Sequence, residues 1–248
     1  MGENMLWKTW IAIFCFENKE YIKMCGRFSF ASSEDKLRQQ FGDIDIDGPL
    51  EWRYNVAPTQ PAYLITDATP HRLQRYYWGL LPFWSKEKKI TGKLINARSE
   101  TIAEKPSFRT SFRRRRCWVP ADSFYEWRRE GKQKIPYRIL PANGELLVMA
   151  GIWEIWGEGE EEIRTFSILT TEPNREIAPL HNRMPVLLTG AEAREAYLLE
   201  EDLNVVRDLL HPPPDDYLRL YRVSQQVNSP RNDTPALHQA VEENRLFD

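Results

Sequence analysis

Segments rich in aromatic and β-branched residues recur through the middle of this sequence, and they constrain its fold more than any other feature. Such residues favour pleated strands, and the turn signal Asp-Ala-Thr-Pro at 67–70 separates the first two segments. The predicted strands span residues 61–66, 72–78, 117–119, 123–127, 136–140, 146–156, 165–170 and 218–223. Their close spacing predicts a strongly bent, mainly antiparallel sheet.

The predicted helices are few and short. A helix at 33–41 has Ser32 or Ser33 as its N-cap, and a capping-box pattern at 189–192 opens a helix that ends at Leu199. Another helix is predicted at 201–210, before three consecutive prolines. No repeat or Gly/Ser-rich linker divides the 248 residues, of which 42% are hydrophobic. The sequence therefore predicts a single α+β domain with curved, barrel-like antiparallel sheets flanked by short helices.

The first 24 residues contain none of the motifs found farther along the chain. Their apolar stretch at 10–16 lacks the basic start and the small-residue cleavage site of a secretory signal. An additional amphipathic element is an alternative interpretation. Met24 precedes Cys25, and an initiator Met is normally trimmed before a small residue. We therefore predict that residues 1–24 are a mis-assigned start or a removed leader, and that the functional domain spans 25–240.

The overall charge and the cysteine content restrict the classes of function. Because the net charge is −2, any nucleic-acid binding must come from a local basic patch. Three cysteines without a Cys-x-x-Cys pair, four histidines and the absence of a P-loop predict neither a metal site nor a cofactor. No apolar run reaches the ~18 residues of a membrane span, so we expect no membrane contact. We also expect the protein to be cytoplasmic and monomeric.

Six blocks combine reactive polar residues with aromatic or turn residues. They are Cys-Gly-Arg-Phe at 25–28, Arg-Tyr-Asn-Val-Ala-Pro at 53–58, Trp-Gly-Leu-Leu-Pro-Phe-Trp at 78–84, Asn-Ala-Arg-Ser-Glu at 96–100, Pro-Ala-Asp-Ser-Phe-Tyr-Glu-Trp at 120–127 and His-Asn-Arg-Met-Pro at 181–185. In this order they resemble the SRAP family of SOS-associated, abasic-site-processing proteins. The resemblance implies a compact α+β fold with curved sheets around a DNA-binding groove.

The resemblance also implies four catalytic residues. Cys25 matches the N-terminal cysteine that crosslinks to a ring-opened abasic deoxyribose. Asn96 matches the Asn of Asn-Ala-Arg, Glu126 the Glu of Phe-Tyr-Glu-Trp, and His181 the His that precedes Arg-Met-Pro. We expect Glu126 to act as the general acid and base, His181 to protonate the sugar or assist reversal, and Asn96 to orient the sugar or the amine.

The chemistry of an N-terminal cysteine explains why Cys25 suits this role. Its amine can condense with the aldehyde of the opened sugar, and its thiol can then close a five-membered thiazolidine ring. Both nucleophiles come from one residue, with an amine pKa near ~8 and a thiol pKa near ~8.5 in unperturbed groups. The mechanism requires a free α-amine, and hence the absence of residues 1–24.

Basic and aromatic residues predict where single-stranded DNA binds. Four arginines at 113–116 form a charge run, of which we expect about half to be an ordinary solvated face. Single-strand binders pair such charges with stacking aromatics, and the candidates here are Trp78, Phe83, Trp84 and Phe112. The resemblance adds a second set of expected DNA contacts, which comprises Arg27, Asn55, Pro58, Arg98, Thr170 and Arg183.

Each candidate also has a purely structural interpretation. Cys25 alone would more often be a buried thiol, Glu126 an ion-pair partner at a strand edge, and His181 or Asn96 a turn residue. Cys117 lies in an apolar strand and is predicted to pack in the core.

Three functions therefore remain open. The favoured one is covalent capture of abasic sites in single-stranded DNA during the DNA damage response, with association to the nucleoid while bound. The chain would also expose Cys25 by cleaving itself. The alternatives are a cysteine-type peptidase that pairs Cys25 or Cys117 with His181, and a non-covalent single-strand-binding module.

Overall fold

Strands dominate the computed structural model, which describes residues 26–241; Cys25 and the rest of 1–25 lie outside the described residues, as do 242–248. The strands are β1 (Phe28–Phe30), β2 (Asp45–Ile46), β3 (Arg53–Val56), β4 (Pro61–Thr66), β5 (Thr69–Trp78), β6 (Asn96–Arg98), β7 (Arg116–Ala121), β8 (Ser123–Glu130), β9 (Gln133–Pro141), β10 (Leu147–Trp156), β11 (Ile163–Thr171), β12 (Met184–Pro185) and β13 (Leu218–Arg222). The α-helices are α1 (Glu34–Phe41), α2 (Arg109–Arg114), α3 (Ala191–Leu199) and α4 (Leu203–Asp208).

Five strands close into a barrel. They are hydrogen-bonded in the order β11, β10, β7, β4 and β5, and a parallel pairing of β5 with β11 completes the ring at Tyr77–Thr165 and Trp78–Phe166. The short strands β2, β6 and β12 extend this sheet at its margins. Closure removes free strand edges along the ring, and it confirms the expectation of curved, barrel-like sheets.

A second, antiparallel sheet has the order β13, β9, β8, β1 and β3. The short strand β1 lies between β8 and β3, and Phe28 pairs with Val56 on one side and with Phe124 on the other. The main hydrophobic core joins this sheet to the barrel. Phe28 packs edge-on against Trp78 with ring centroids 5.1 Å apart, and Trp78 stacks on Phe166 at 6.4 Å. Each such burial contributes about 1.5–3 kcal/mol.

The helix boundaries show where local sequence signals succeed and fail. Ser33 caps α1 as expected, because its side chain accepts from the backbone N–H of Lys36. The capping box predicted at Thr189 is wrong: α3 has Gly190 as its N-cap, at a φ of 83°, and no side chain caps it. A glycine takes this left-handed conformation without a Cβ clash, so it replaces the expected threonine cap.

The four-arginine run separates into exposed and structural members. Arg113 and Arg114 are exposed, whereas Arg115 pairs with the buried carboxylate of Glu154. Arg116 is 4% exposed and donates to the carbonyls that end α3, including that of Tyr197 at 2.6 Å. The run is thus half a solvated face and half part of the folded framework.

Cys117 is fully buried in the core, which confirms its predicted packing, and burial raises the pKa of its thiol well above the ordinary value.

Within residues 26–241, none of the helices combines the length and the apolar character that a membrane crossing requires.

Candidate active site

The parallel pairing of β6 with β11 presents the first candidate residues. Asn96 lies opposite Ile168, and Arg98 lies opposite Thr170. Successive residues of a strand point to opposite faces, so Ala97 is fully buried in the core while Arg98 is exposed. Asn96 is 8% exposed, so its amide is almost entirely shielded from solvent. An amide can both donate and accept hydrogen bonds.

An ion pair lies directly beyond β6. Glu100 accepts two hydrogen bonds from Arg183, from Nη1 at 2.5 Å and from Nη2 at 2.9 Å. The guanidinium also donates to the backbone oxygen of Thr170 at 2.5 Å. Hydrogen bonding from Arg183, together with its positive charge, lowers the pKa of Glu100. The pair therefore connects the segment after β6 to the loop that carries His181.

The backbone of Arg183, two residues farther along the chain, contacts the ring of His181. Its Nδ1 lies 3.1 Å from both the backbone nitrogen and the backbone oxygen of Arg183. Because an N–H can only donate, the neutral ring accepts at Nδ1 and carries its proton on Nε2; a protonated ring donates from Nδ1 to the carbonyl instead. Nε2 is buried and has no hydrogen-bond partner among the described residues. A proton on Nε2 therefore has no acceptor among the described residues.

Burial and nearby charge favour the neutral form of His181. Desolvation lowers the pKa of its ring, and the positive charges of Arg129 and Arg183 lower it further. Arg129 belongs to β8, the strand that also carries Glu126. The charge of Arg129 thus couples β8, which carries Glu126, electrostatically to His181.

Glu126 is a carboxylate in an otherwise apolar region of β8. It is 2% exposed and pairs with Tyr137 of β9. It shares a strand face with the core residue Phe124, whereas Tyr125 points to the other face and donates from its hydroxyl to the carbonyl of Tyr54 at 2.8 Å. A buried carboxylate at this position matches the protected environment expected of a general acid and base.

Arg27 anchors the start of the described chain. Its Nη1 donates to Oδ1 of Asn55 at 2.8 Å and to the carbonyl of Val227 at 2.7 Å, and burial lowers the pKa of its guanidinium. Asn55 is fully buried and donates from Nδ2 to the carbonyls of Ser229 and Asn232 at 3.0 and 2.7 Å. Asn55 therefore braces three segments of the chain and offers no surface to a ligand.

Comparison with known proteins resolves the family. Residues 24–230 match the family described as SOS response associated peptidase (SRAP), which is most of the chain. The chain belongs to the SRAP family. It is 43% identical over 221 residues to the abasic site processing protein YoqW of Bacillus subtilis, covering 86% of this chain and 98% of that protein. It is 31% identical over 256 residues to the abasic site processing protein HMCES of Gallus gallus, covering 86% of this chain and 76% of that protein.

Solved structures share the fold of this chain. A crystal structure of a Bacteroides thetaiotaomicron protein superposes with a TM-score of 0.78 at 30% identity, covering 88% of this chain and all of that one. A Bordetella bronchiseptica protein shares the fold with a TM-score of 0.67 at 24% identity, covering 81% of this chain and all of that one.

Burial in this SRAP structure corrects several expected DNA contacts. Trp78 and Phe112 are 1% and 0% exposed, so neither offers a ring face to a base. Trp78 instead donates from its indole N–H to the carbonyl of Ile95 at 2.8 Å. Ile95 directly precedes Asn96, so this bond helps to hold the start of β6. Thr170 is also fully buried, and its hydroxyl faces the carbonyl of Ala97 at 3.5 Å.

Other predicted contacts of the SRAP chain lie at the surface. Phe83 and Trp84 are 53% and 54% exposed, and Arg98 is exposed. Pro58 is half-buried and precedes Thr59, whose φ of 70° is unusual for a β-branched residue. Such backbone conformations persist where the surrounding structure enforces them, and they are common at functional sites.

Sequence reasoning missed two residues of the candidate site. Glu100 stands in a recognised block, yet nothing local reveals that its partner Arg183 lies 83 residues away. Arg129 appears in the sequence as one of several basic residues near the turn after β8, and its electrostatic effect on His181 depends on tertiary packing.

Proposed function

We propose that this protein processes abasic sites in single-stranded DNA by forming a covalent thiazolidine crosslink through Cys25, which shields the lesion. The observation that carries the proposal is the combination of the buried Glu126 with a neutral His181 whose Nε2 is buried and without a partner among the described residues. The relatives named as abasic site processing proteins support the choice of substrate.

Strand register supports a role for Cys25 beside Glu126. Phe28 pairs with Phe124, and the backbone N–H of Tyr125 donates to the carbonyl of Arg27 at 2.9 Å. Continued by one residue, the same antiparallel register brings Gly26 level with Glu126. Cys25 directly precedes Gly26 in the sequence.

The proposed reaction has two bond-forming steps. The free α-amine of Cys25 adds to the C1 aldehyde of the opened deoxyribose, and loss of water gives an imine. The thiol then adds to the imine carbon, its proton passes to the nitrogen, and the thiazolidine ring closes. Glu126 transfers the protons during ring opening and dehydration, and Asn96 orients the sugar. The net change is the loss of one water molecule.

His181 would act on the sugar oxygen. Its neutral ring carries a proton on Nε2, and the backbone of Arg183 accepts or donates at Nδ1 in either protonation state. The same residue can thus donate a proton and take it back, which suits both opening of the sugar and reversal of the crosslink.

Recognition of the DNA strand would depend on stacking and phosphate contact. The exposed Phe83 and Trp84 offer ring faces to bases, and the exposed Arg98 offers a charge to the backbone. Aldehyde chemistry supplies the lesion specificity, so we propose little preference for base sequence. We further propose that the protein acts as a monomer in the cytoplasm.

The mechanism requires that Cys25 become the first residue. We propose that translation from Met24 with Met removal, or cleavage of the Met24–Cys25 bond by the protein itself, exposes the amine. The word peptidase in the family description motivates the second route.

A single experiment tests the proposed function. The purified chain is incubated with single-stranded DNA that contains one abasic site, and the product is analysed by denaturing gel and intact mass. We expect an adduct whose mass is that of protein plus DNA minus one water, with Cys25 as the N-terminal residue. Cys25→Ala should abolish the adduct, whereas Cys117→Ala, which removes the buried thiol, should retain it. An equal adduct from Cys25→Ala, or one from protein that keeps residues 1–24, would refute the mechanism.

A further inference from the structure

We propose that Glu100 is a positioning residue for His181. Through its bidentate pair with Arg183, it fixes the backbone that holds the imidazole in the Nε2-protonated form. This inference rests on the proposed function, since it explains how the residue expected to act on the sugar is kept in its working state. Glu100 itself does not touch the reacting atoms.

The Glu100–Arg183 pair has the geometry of a fixed contact. Both carboxylate oxygens accept from the guanidinium, at 2.5 and 2.9 Å, and the Arg183 side chain is only 11% exposed. Two parallel N–H···O bonds define the plane of the guanidinium as well as its position. Glu100 is 52% exposed, so solvent screens the carboxylate end of the pair, whereas the mostly buried guanidinium is screened less.

The barrel holds the other side of Arg183. Its Nη2 donates to the backbone oxygen of Thr170, a residue that pairs with Pro185 of β12 and lies opposite Arg98 of β6. The guanidinium therefore bridges β11 and the segment that follows β6. Glu100 supplies the charge on one side of this bridge, and the rigid strand supplies the other.

The backbone of Arg183 transmits this restraint to the ring. Its N–H donates to Nδ1 of His181 at 3.1 Å, and the N–H of His181 donates to the carbonyl of Ile177 at 3.0 Å. Loosening Arg183 would weaken the bond at Nδ1, and the ring would then sample both tautomers and other orientations. Only the Nε2-protonated form presents a donor at the buried, partnerless nitrogen.

A phosphate-binding role alone does not account for this arrangement. The resemblance assigns Arg183 to the DNA backbone, yet Glu100 engages both of its terminal nitrogens. A phosphate would compete with a carboxylate that is already in place. The carboxylate of Glu100 would repel a DNA phosphate. A positioning role explains why an acidic residue is nevertheless present there.

The test uses Glu100→Gln in the full-length protein, with Glu104→Gln as its matched control. Glu104 is an exposed carboxylate four residues farther on, and its substitution changes the net charge equally. The primary measurement is the pair of ring ¹⁵N chemical shifts of His181, without DNA, together with hydrogen exchange of the Arg183 amide.

We expect the wild-type shifts to report an unprotonated Nδ1. In Glu100→Gln the two shifts should move toward each other, and exchange of the Arg183 amide should rise at least threefold. The rate of crosslinking to abasic single-stranded DNA should fall about tenfold, as expected for a misplaced acid–base group. Glu104→Gln should match the wild type in all three measurements.

Two results would overturn the proposal. Unchanged shifts and exchange in Glu100→Gln would do so, as would an equal change in Glu104→Gln. Because the ring measurements need neither DNA nor Cys25, they remain decisive even if the wild type forms no crosslink. That last outcome would contradict the proposed function and leave the positioning of His181 measured independently.

Discussion

Arg27 and the buried Asn55 form a partly buried hydrogen bond of 2.8 Å that ties the start of the described chain to β3. The Asn55 amide extends this contact to carbonyls at 227–232 through Nδ2. Two segments far apart in sequence thus meet around one side chain. The position of Arg27, two residues after Cys25, therefore depends on a buried amide rather than on a surface charge.

We predict that Asn55→Ala destabilises the protein and disturbs the chain start. Several buried groups would lose their partner, so the free energy of unfolding should fall by about 2–3 kcal/mol. Urea unfolding measures this change. Asn204→Ala, at an exposed position of α4, should change it by less than ~0.5 kcal/mol. Equal effects of the two substitutions would contradict the assigned role.

Two tryptophans in one sequence block should respond oppositely to substitution. Trp84→Ala should weaken binding of single-stranded DNA by about 1–3 kcal/mol, because its exposed ring offers a stacking face, with little change in stability. Trp78→Ala should instead lower the free energy of unfolding by about 3–5 kcal/mol, because the ring fills the core. Fluorescence anisotropy and thermal unfolding separate the two effects, and undiminished DNA binding by Trp84→Ala would exclude stacking there.

We expect the pH response of His181 to depend on Arg129. The positive charge of Arg129 contributes to the lowered pKa of the ring, so Arg129→Gln should raise that pKa toward ~6.5. Because the folded-state pKa lies below the unfolded value, His181 costs stability as the pH falls through ~6.5, and the substitution should reduce this loss. An NMR titration of the imidazole measures the shift. Arg114→Gln, at an exposed position of α2, serves as the control, and an unchanged midpoint in Arg129→Gln would argue against the proposed coupling.

Two members of the arginine run should differ in their effect on stability. Arg116→Met removes the donors to the carbonyls that end α3 and should cost about 3 kcal/mol. Arg113→Met alters an exposed side chain and should be nearly neutral. Chemical denaturation compares the two. A neutral Arg116→Met would mean that water replaces the guanidinium at the end of the helix.

Local sequence patterns predicted much of the secondary structure. The strand at Pro61–Thr66 and the cap at Ser33 follow from strand-forming residues and a serine hydroxyl, which act over a few positions. The order of the motif blocks likewise indicated the family. Such features can be predicted from sequence because their physical cause lies within one turn of helix or one pair of strand residues.

The tertiary structure decided which similar residues serve the surface and which serve the core. Trp78 is buried while Trp84 is exposed, although both stand in one aromatic block, because only the barrel closure sets which rings face inward. The pairing of Glu100 with Arg183 joins residues 83 positions apart, and no local pattern encodes such a contact. The sequence by itself determined the residue types and their order, whereas chain packing set their burial, partners and protonation, since these depend on long-range contacts.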